Sequence, residues 1–525
     1  MDAEMKKSIE EYNAKRALFL GGGGSKAVKR QHDAGKLTAR ERVEKLADPG
    51  SFVEYDLFIN RHSSDFGMGD VEAPTEGFIT GICTIDQRPV AVCAQDFTVL
   101  GGSVGNWGSK KMMKIANLAL SLRIPLVMVN DSAGARPQEQ HEVMEEGYGP
   151  LFNFHTLASG VIPQVTLVMG SVAGGPCYAP ALTDFIFMVK DTSAMFIGGP
   201  PVVKAVTGEE ITEQDLGGAK IHTTVNGVAD LAFKNDEECL QATKDLLSYL
   251  PLHNTDNPER QDTGDDPLRT DDSLAEIVPG NPIQSYDIHR IIEKVFDNGT
   301  FLEIKPTYAP NLVTAFARLN GLSVGILANQ PQSMGGALCA KSSWKGARFV
   351  RFCDAFNIPI IHLVDTPGYL VGSQSEKEGI IRHGAKLLFA ESEATVPVIT
   401  LVLRKGYAGA TGAMGSRAMR VADYAIAWPI AKFSIMGIDA GMSVLKRTSK
   451  MKKGLAETEN PEALLQSWEE EYEKKYLDLY AVAPVRHVDE IIDPSQTRPT
   501  IIRALELLRT KKKEIPWKKH GNIPL

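Results

Sequence analysis

The chain has 525 residues, too many for one hydrophobic core and suited to two domains. Its 43% hydrophobic and 23% charged residues are those of a soluble globular enzyme, and a net charge of −8 argues against nucleic acid as a bulk electrostatic partner. Six scattered cysteines with no CxxC pair suit reduced thiols in the cytoplasm and suggest no metal site, while no apolar run approaches the ~20 residues of a membrane helix.

Residues 2–18 read as an amphipathic helix without the apolar centre of a signal peptide. The run 21–26, GGGGSK, fails the phosphate-loop spacing because Ser25 precedes Lys26, so a hinge is the better reading. Lys26, Lys29, Arg30, Lys36, Arg40 and Arg42 follow as a basic cluster. Such clusters are usually a solvated helix face; a local site for anionic phosphates is the minority use.

From 76 to 99 two β-like runs, EGFITGICTI and PVAVCAQDFTVL, are joined by a turn at Asp86-Gln87-Arg88. Glycines at 101, 102 and 105 lead into the helical pattern KKMMKIANLALSL and then the strand PLVMVND, which is β-α-β syntax. That strand ends in the small-residue turn Asp131-Ser132-Ala133-Gly134-Ala135-Arg136. Ser132 with His141 lacks the GxSxG elbow of a serine nucleophile, and Glu139 and Glu142 read as surface or turn residues. His222 and His383 read as structural. Around 251–273 the composition turns polar and Pro- and Asp-rich, giving an N-terminal domain 1–260, a linker 261–275 and a C-terminal domain 276–525.

The second half repeats the first. Ile124 matches Ile358 and Pro163 matches Pro397 at one and the same offset, and Asp184 matches Asp423 after a five-residue insertion. Repetition over half the chain is a duplicated domain, since solenoid repeats are far shorter. The repeat contains two matching stretches: TLVMGSVAGGPCYA (166–179) and TLVLRKGYAGATGA (400–413). Each is an apolar β-rich run that breaks into glycines and alanines. Such a turn leaves backbone N–H groups pointing outward, able to hold negative charge developing on oxygen. Either copy alone reads better as a tight strand-to-helix turn; two in matching frames favour a pair of oxyanion holes.

The strings AQDFTVLGGSVG, NDSAGARPQE, GVIPQVTLVMGSVAGGPCYAPALTDFIFMVKDTSAMFIGGP, EGIIRHGAKLLFAESEATVP and KKHGNIPL resemble carboxyltransferase β subunits across nearly the whole chain. That family comprises propionyl-CoA carboxylase β chains, methylmalonyl-CoA carboxyltransferase and methylmalonyl-CoA decarboxylase α chains. The resemblance implies an α/β fold of two tandem crotonase-like β-β-α superhelical domains. It also implies a homo-oligomer in which one subunit's N-half faces another's C-half, commonly a hexamer. The implied reaction is CO2 transfer between carboxybiotin, carried on a biotin carboxyl carrier or biotin carboxylase partner, and the α (or vinylogous) carbon of an acyl-CoA. Carried onto this chain, one oxyanion hole falls on Gly174 and Gly175 for the thioester enolate, the other on Gly409 and Ala410 for the biotin ureido oxygen. Ala173, Tyr178, Ala133, Gly134, Thr411 and Gly412 are the implied substrate-pocket residues, and Lys26, Lys29, Arg30 and Arg40 the CoA-phosphate residues. Thr411 and Gly412 replace the Tyr-Asp pair of propionyl-type enzymes, which puts propionyl-CoA in doubt and predicts a wider or more polar-tolerant pocket. The same chemistry in reverse, in a decarboxylase or transcarboxylase, and a biotin-independent crotonase-like hydratase or hydrolase are the competing readings; the latter requires a positioned carboxylate.

Overall fold

A computed structural model describes residues 2–525 apart from 62, 64 and 487. The chain divides into two compact units, one ending at Asn257 and the other beginning at Pro258. Each contains one eight-stranded sheet.

In the first unit the strands are β1 (Val53–Tyr55), β2 (Phe78–Ile85), β3 (Arg88–Gln95), β4 (Leu126–Ser132), β5 (Gln164–Ala173), β6 (Phe185–Val189), β7 (Ala194–Phe196) and β8 (Leu231–Phe233). The sheet runs β1-β2-β3-β4-β5-β6-β8, with β7 pairing separately on the end of β5. β1, β2 and β3 are antiparallel, and from β3 onward the strands are parallel. The hairpin between β2 and β3 is closed by Asp86 and Gln87, both at positive φ, which matches the twist of the flanking strands. Every residue of β4 is buried, as expected of a parallel strand covered on both faces. The helix Asn106–Leu122 crosses over between β3 and β4, laying Met112, Ile115, Ala116 and Ala119 on Phe78, Cys93, Leu126 and Met128.

The second unit repeats this arrangement with β9 (Phe301–Ile304), β10 (Leu312–Leu319), β11 (Leu322–Asn329), β12 (Ile360–Thr366), β13 (Val398–Tyr407), β14 (Tyr424–Ala427), β15 (Lys432–Ser434) and β16 (Glu490–Ile491). Its order, read from β9, is β9-β10-β11-β12-β13-β14-β16 with β15 on β13. The strands β2 to β5 and β10 to β13 begin and end at one constant offset in sequence. The left-handed residues Arg123 and Asn357, both at φ 56°, keep that same offset. The α/β fold of two tandem, duplicated domains is therefore present. In the second unit the helix Thr497–Leu508 buries Ile501, Ile502, Ala504 and Leu505 among Ile399, Leu401, Leu403 and Trp428. The Trp428 indole N–H donates to Thr497 Oγ1 at 3.0 Å.

Both sheets bury an aspartate at the same place, neutralised differently. Asp131 accepts from Lys36, from Gln31 and from Arg42, and the fully buried Arg42 also bridges to Asp236 at 2.7 Å. Asp365 is held by Arg404 at 3.0 Å and Lys405 at 3.7 Å, both on the neighbouring strand β13.

The segment 261–275, expected as a linker, belongs instead to the second unit. Its aspartates have local cations: Asp265 pairs with Arg269 at 2.6 Å and Asp271 with Lys294 at 3.0 Å, while Arg498 donates to the Asp266 carbonyl. A composition that reads as solvated is satisfied here partly by cations distant in sequence.

Candidate active site: two glycine turns

Each turn follows the longest strand of its sheet. β5 ends at Ala173, and Gly174 then takes φ 75°, ψ −138°, a conformation strained for any side chain. Its N–H donates to the Phe196 carbonyl at 3.1 Å, because β7 pairs with the end of β5 and its last carbonyl reaches the turn. The expectation of two outward amides is corrected on this point: Gly174 is capped by the protein itself. Gly175 opens the short turn Gly175–Cys177, and its N–H has no partner among the described residues. Pro176 has no N–H to add. The first turn thus presents one free amide, at Gly175. A Cβ at Gly175 would lie 3.2 Å from the Tyr148 ring, so that ring allows only glycine there without displacement.

Tyr148 ends the π-helical turn Met144–Tyr148, stacks on Phe152 at 6.3 Å, and Phe152 meets Tyr178 edge-on at 6.3 Å. Tyr178 itself is exposed at the head of the helix Tyr178–Leu182. Ala133 and Gly134 follow β4: the Ala133 N–H donates to the Gly101 carbonyl at 2.9 Å and the Gly134 N–H to Ser132 Oγ at 3.1 Å. Gly134, at φ 100°, lies beside the Ala173 carbonyl, which brings these three expected pocket residues to the first turn.

In the second turn Ala408, the counterpart of Gly174, keeps the left-handed backbone at φ 56° despite its methyl group. It opens the helix Ala408–Ala413, so Gly409 and Ala410 lie in its first turn, ahead of the first i→i−4 hydrogen bond. Tyr407 caps the helix with no side-chain bond. Both amides are therefore free among the described residues, and a Cβ at Gly409 would meet only the Tyr369 ring, at 3.8 Å. A short N-terminal turn with two unpaired N–H groups suits an anionic oxygen. Behind it Thr411 is buried with its hydroxyl unpartnered, lining a cavity of about 20 Å³ with Thr400, Ser416, Arg417 and Phe433. At Gly412 a Cβ would lie 3.1 Å from Met419 Cγ.

The basic residues divide. Lys26, Lys29 and Arg30 lie on the helix Ser25–Asp33, with Lys29 paired to Asp33 at 2.8 Å. Arg40 is engaged bidentately with Glu54, and Lys36 and Arg42 are committed to Asp131. Glu139 is not a surface residue: its carboxylate is buried, accepts from Arg136 at 3.0 Å and takes the Asn106 N–H at 2.7 Å. Arg136 also binds the buried Glu76, whose pKa is pushed up to about 7 by desolvation against the pull of Arg136. Glu76 and Arg136 lie too far apart in sequence for any local pattern to announce this triad. The Tyr148 and Tyr369 rings on the two glycines are equally unmarked.

A family model described as the carboxyl transferase domain matches residues 30–523. The chain belongs to the carboxyl transferase family. It is 46% identical to the propionyl-CoA carboxylase carboxyltransferase subunit of Haloferax mediterranei, covering 99% of this chain and 100% of that one. It is 47% identical to the methylmalonyl-CoA decarboxylase subunit alpha of Veillonella parvula, with both chains fully covered. A transcarboxylase 12S crystal structure, described as a hexamer with hydrolysed methylmalonyl-coenzyme A bound, superposes with a TM-score of 0.95 at 44% identity over 100% of both chains. As a member of this family the chain is a carboxyltransferase, and its duplicated fold is that of the transcarboxylase core.

Proposed function

We propose that the chain is the carboxyltransferase subunit of a biotin-dependent acyl-CoA carboxylase. Biotin, carried on a biotin carboxyl carrier or biotin carboxylase partner, supplies the carboxyl group. This chain binds the CoA thioester, orients it and stabilises the charge on its oxygen as the α (or vinylogous) carbon reacts. The observation that carries the reading is the free amide at each turn: Gly175 after β5, Gly409 and Ala410 after β13. The Gly175 N–H would hold the thioester oxygen, and the Gly409 and Ala410 N–H groups fit the ureido oxygen. Removing one such donor typically costs about 3–4 kcal/mol of transition-state stabilisation. Lys26, Lys29 and Arg30, near the start of the chain, would take CoA phosphates, with Arg40 tethered to Glu54.

The reverse direction, in a decarboxylase or transcarboxylase, is favoured by the identity to the Veillonella parvula decarboxylase subunit and by the likeness to transcarboxylase 12S. A hydratase or hydrolase is disfavoured, because the buried carboxylates beside the loop after β4, Glu76 and Glu139, are locked onto Arg136. The working protein would be a cytoplasmic homo-oligomer, a hexamer as described for transcarboxylase 12S. A panel of acyl-CoA and carboxyacyl-CoA thioesters, assayed with biotin in both directions, tests the proposal. Turnover of at least one thioester that requires biotin is expected; biotin-independent turnover would overturn it.

A further inference from the structure

His362 Nε2 lies 3.2 Å from a Glu391 carboxylate oxygen, with both side chains fully buried. Neither ring nitrogen of His362 and neither carboxylate oxygen of Glu391 has a hydrogen-bond partner among the described residues. Burying such a pair without further hydrogen bonds does not favour stability, so its presence calls for another role. The first domain has no counterpart: Met128 occupies the place of His362 on the matching strand β4.

The surroundings of the pair all lead to the second turn. His362 lies on β12 opposite Thr400 on β13, and Thr400 Oγ1 donates to the Gly415 carbonyl at 2.6 Å. Gly415, at φ 68°, presses on the imidazole: a Cβ there would lie 2.4 Å from His362 Cδ2. Gly415 lies just beyond the helix Ala408–Ala413, which begins with the free amides. Tyr369, whose ring backs Gly409, donates its hydroxyl to the Gly384 carbonyl at 3.4 Å, on the same helix Ile380–Glu393 that carries Glu391.

We propose that His362 and Glu391 are positioning residues for the second turn, propping it at Gly415 so that the Gly409 and Ala410 amides stay aimed outward. The consequence for catalysis rests on the carboxyltransferase reading; the consequence for the turn does not.

The test uses Glu391→Gln and the double variant His362→Met with Glu391→Leu, which replaces the pair with apolar groups and leaves no unpaired charge. Thermal unfolding, amide exchange at Met414, whose N–H donates to the Thr411 carbonyl at 3.2 Å, and steady-state transfer are measured on the full chain with its biotin donor. The double variant is expected to unfold at the wild-type temperature or above, yet to exchange the Met414 amide faster. Its kcat should fall by about tenfold or more, with KM for the CoA thioester unchanged. Glu391→Gln, which keeps a polar oxygen of the same shape beside the ring, should retain most of the protection and of kcat. A double variant with wild-type exchange and wild-type kcat overturns the proposal. So does a loss in KM for the thioester alone. Should the double variant unfold, wild-type exchange and kcat in both Glu391→Gln and His362→Gln would overturn it, and losses confined to His362→Gln would support it. If the wild-type protein transferred no carboxyl group at all, the proposed function would fall while the exchange measurement still decided this inference.

Discussion

Lys111 and Lys345 occupy the same place in the two duplicated domains, and each ends its buried side chain among backbone carbonyls. Lys111 donates to the carbonyls of Asp56, Thr75 and Phe78, and Lys345 to those of Lys305 and Tyr308. Desolvation lowers the pKa of Lys111 to about 8 and of Lys345 to about 7. A lysine with a depressed folded-state pKa binds fewer protons folded than unfolded between the two values, so stability rises with pH across that window. For Lys345 the contribution is present in full above the unfolded pKa and is lost as pH falls through about 7. Lys345→Met should remove this pH-dependent rise between pH 7 and about 10. It should also cost about 1–3 kcal/mol at pH 7 from the carbonyls left unpaired. Denaturant unfolding at several pH values measures both; an unchanged pH slope would show that the ammonium is solvated.

Arg42 gives the largest expected stability effect. It is wholly buried and bonded to two carboxylates and to the Met169 carbonyl. Arg42→Met would leave Asp236 without its cation and Asp131 with Lys36 alone, at a cost of about 3 kcal/mol. Denaturation midpoints of the variant and the wild type decide this.

Gly409→Val would place methyl groups over the second turn's amides while its Cβ meets only the Tyr369 ring. The expected result is loss of carboxyl transfer to free biotin by about 10²–10³ with CoA-thioester binding intact. Loss of CoA binding, seen by calorimetry, would reverse the assignment of the two turns.

Gly412→Asp introduces an acidic side chain at the position where the resemblance to propionyl-type enzymes implies one. The new Cβ would sit 3.1 Å from Met419 Cγ, on a flexible side chain able to give way. Acyl preference, read as kcat/KM across an acyl-CoA panel, should narrow toward propionyl-CoA. An unchanged profile would show that position 412 does not set the pocket.

The strand-turn-helix order is legible in the sequence because β4, β5, β12 and β13 are nearly continuous buried runs and because the duplication keeps one spacing through the glycine turns. Position along the chain is enough to find Gly175 and Gly409. It is not enough to find the cap on Gly174, since the Phe196 carbonyl reaches it only through a very short strand with no strong signal of its own. Arg42 sits among the same basic letters as Lys29 and Arg30, and only the buried carboxylates of Asp131 and Asp236 set it apart. Glu139 escapes a sequence reading for a related reason: its carboxylate takes the Asn106 N–H from a distant helix and shares the nearby Arg136 with Glu76, which lies far back in the chain.

The two buried aspartates give the halves unequal independence. Asp365 draws its countercharge from an adjoining strand, so its cations are carried within the sheet. Asp131 draws on Gln31, Lys36 and Arg42, outside the sheet. Trimming away the helical segment ahead of β1 would strand a naked carboxylate at the heart of the first domain, whereas the segment ahead of β9, which packs Ile288, Ile291 and Val295 into its core, supplies Asp365 with no countercharge to lose.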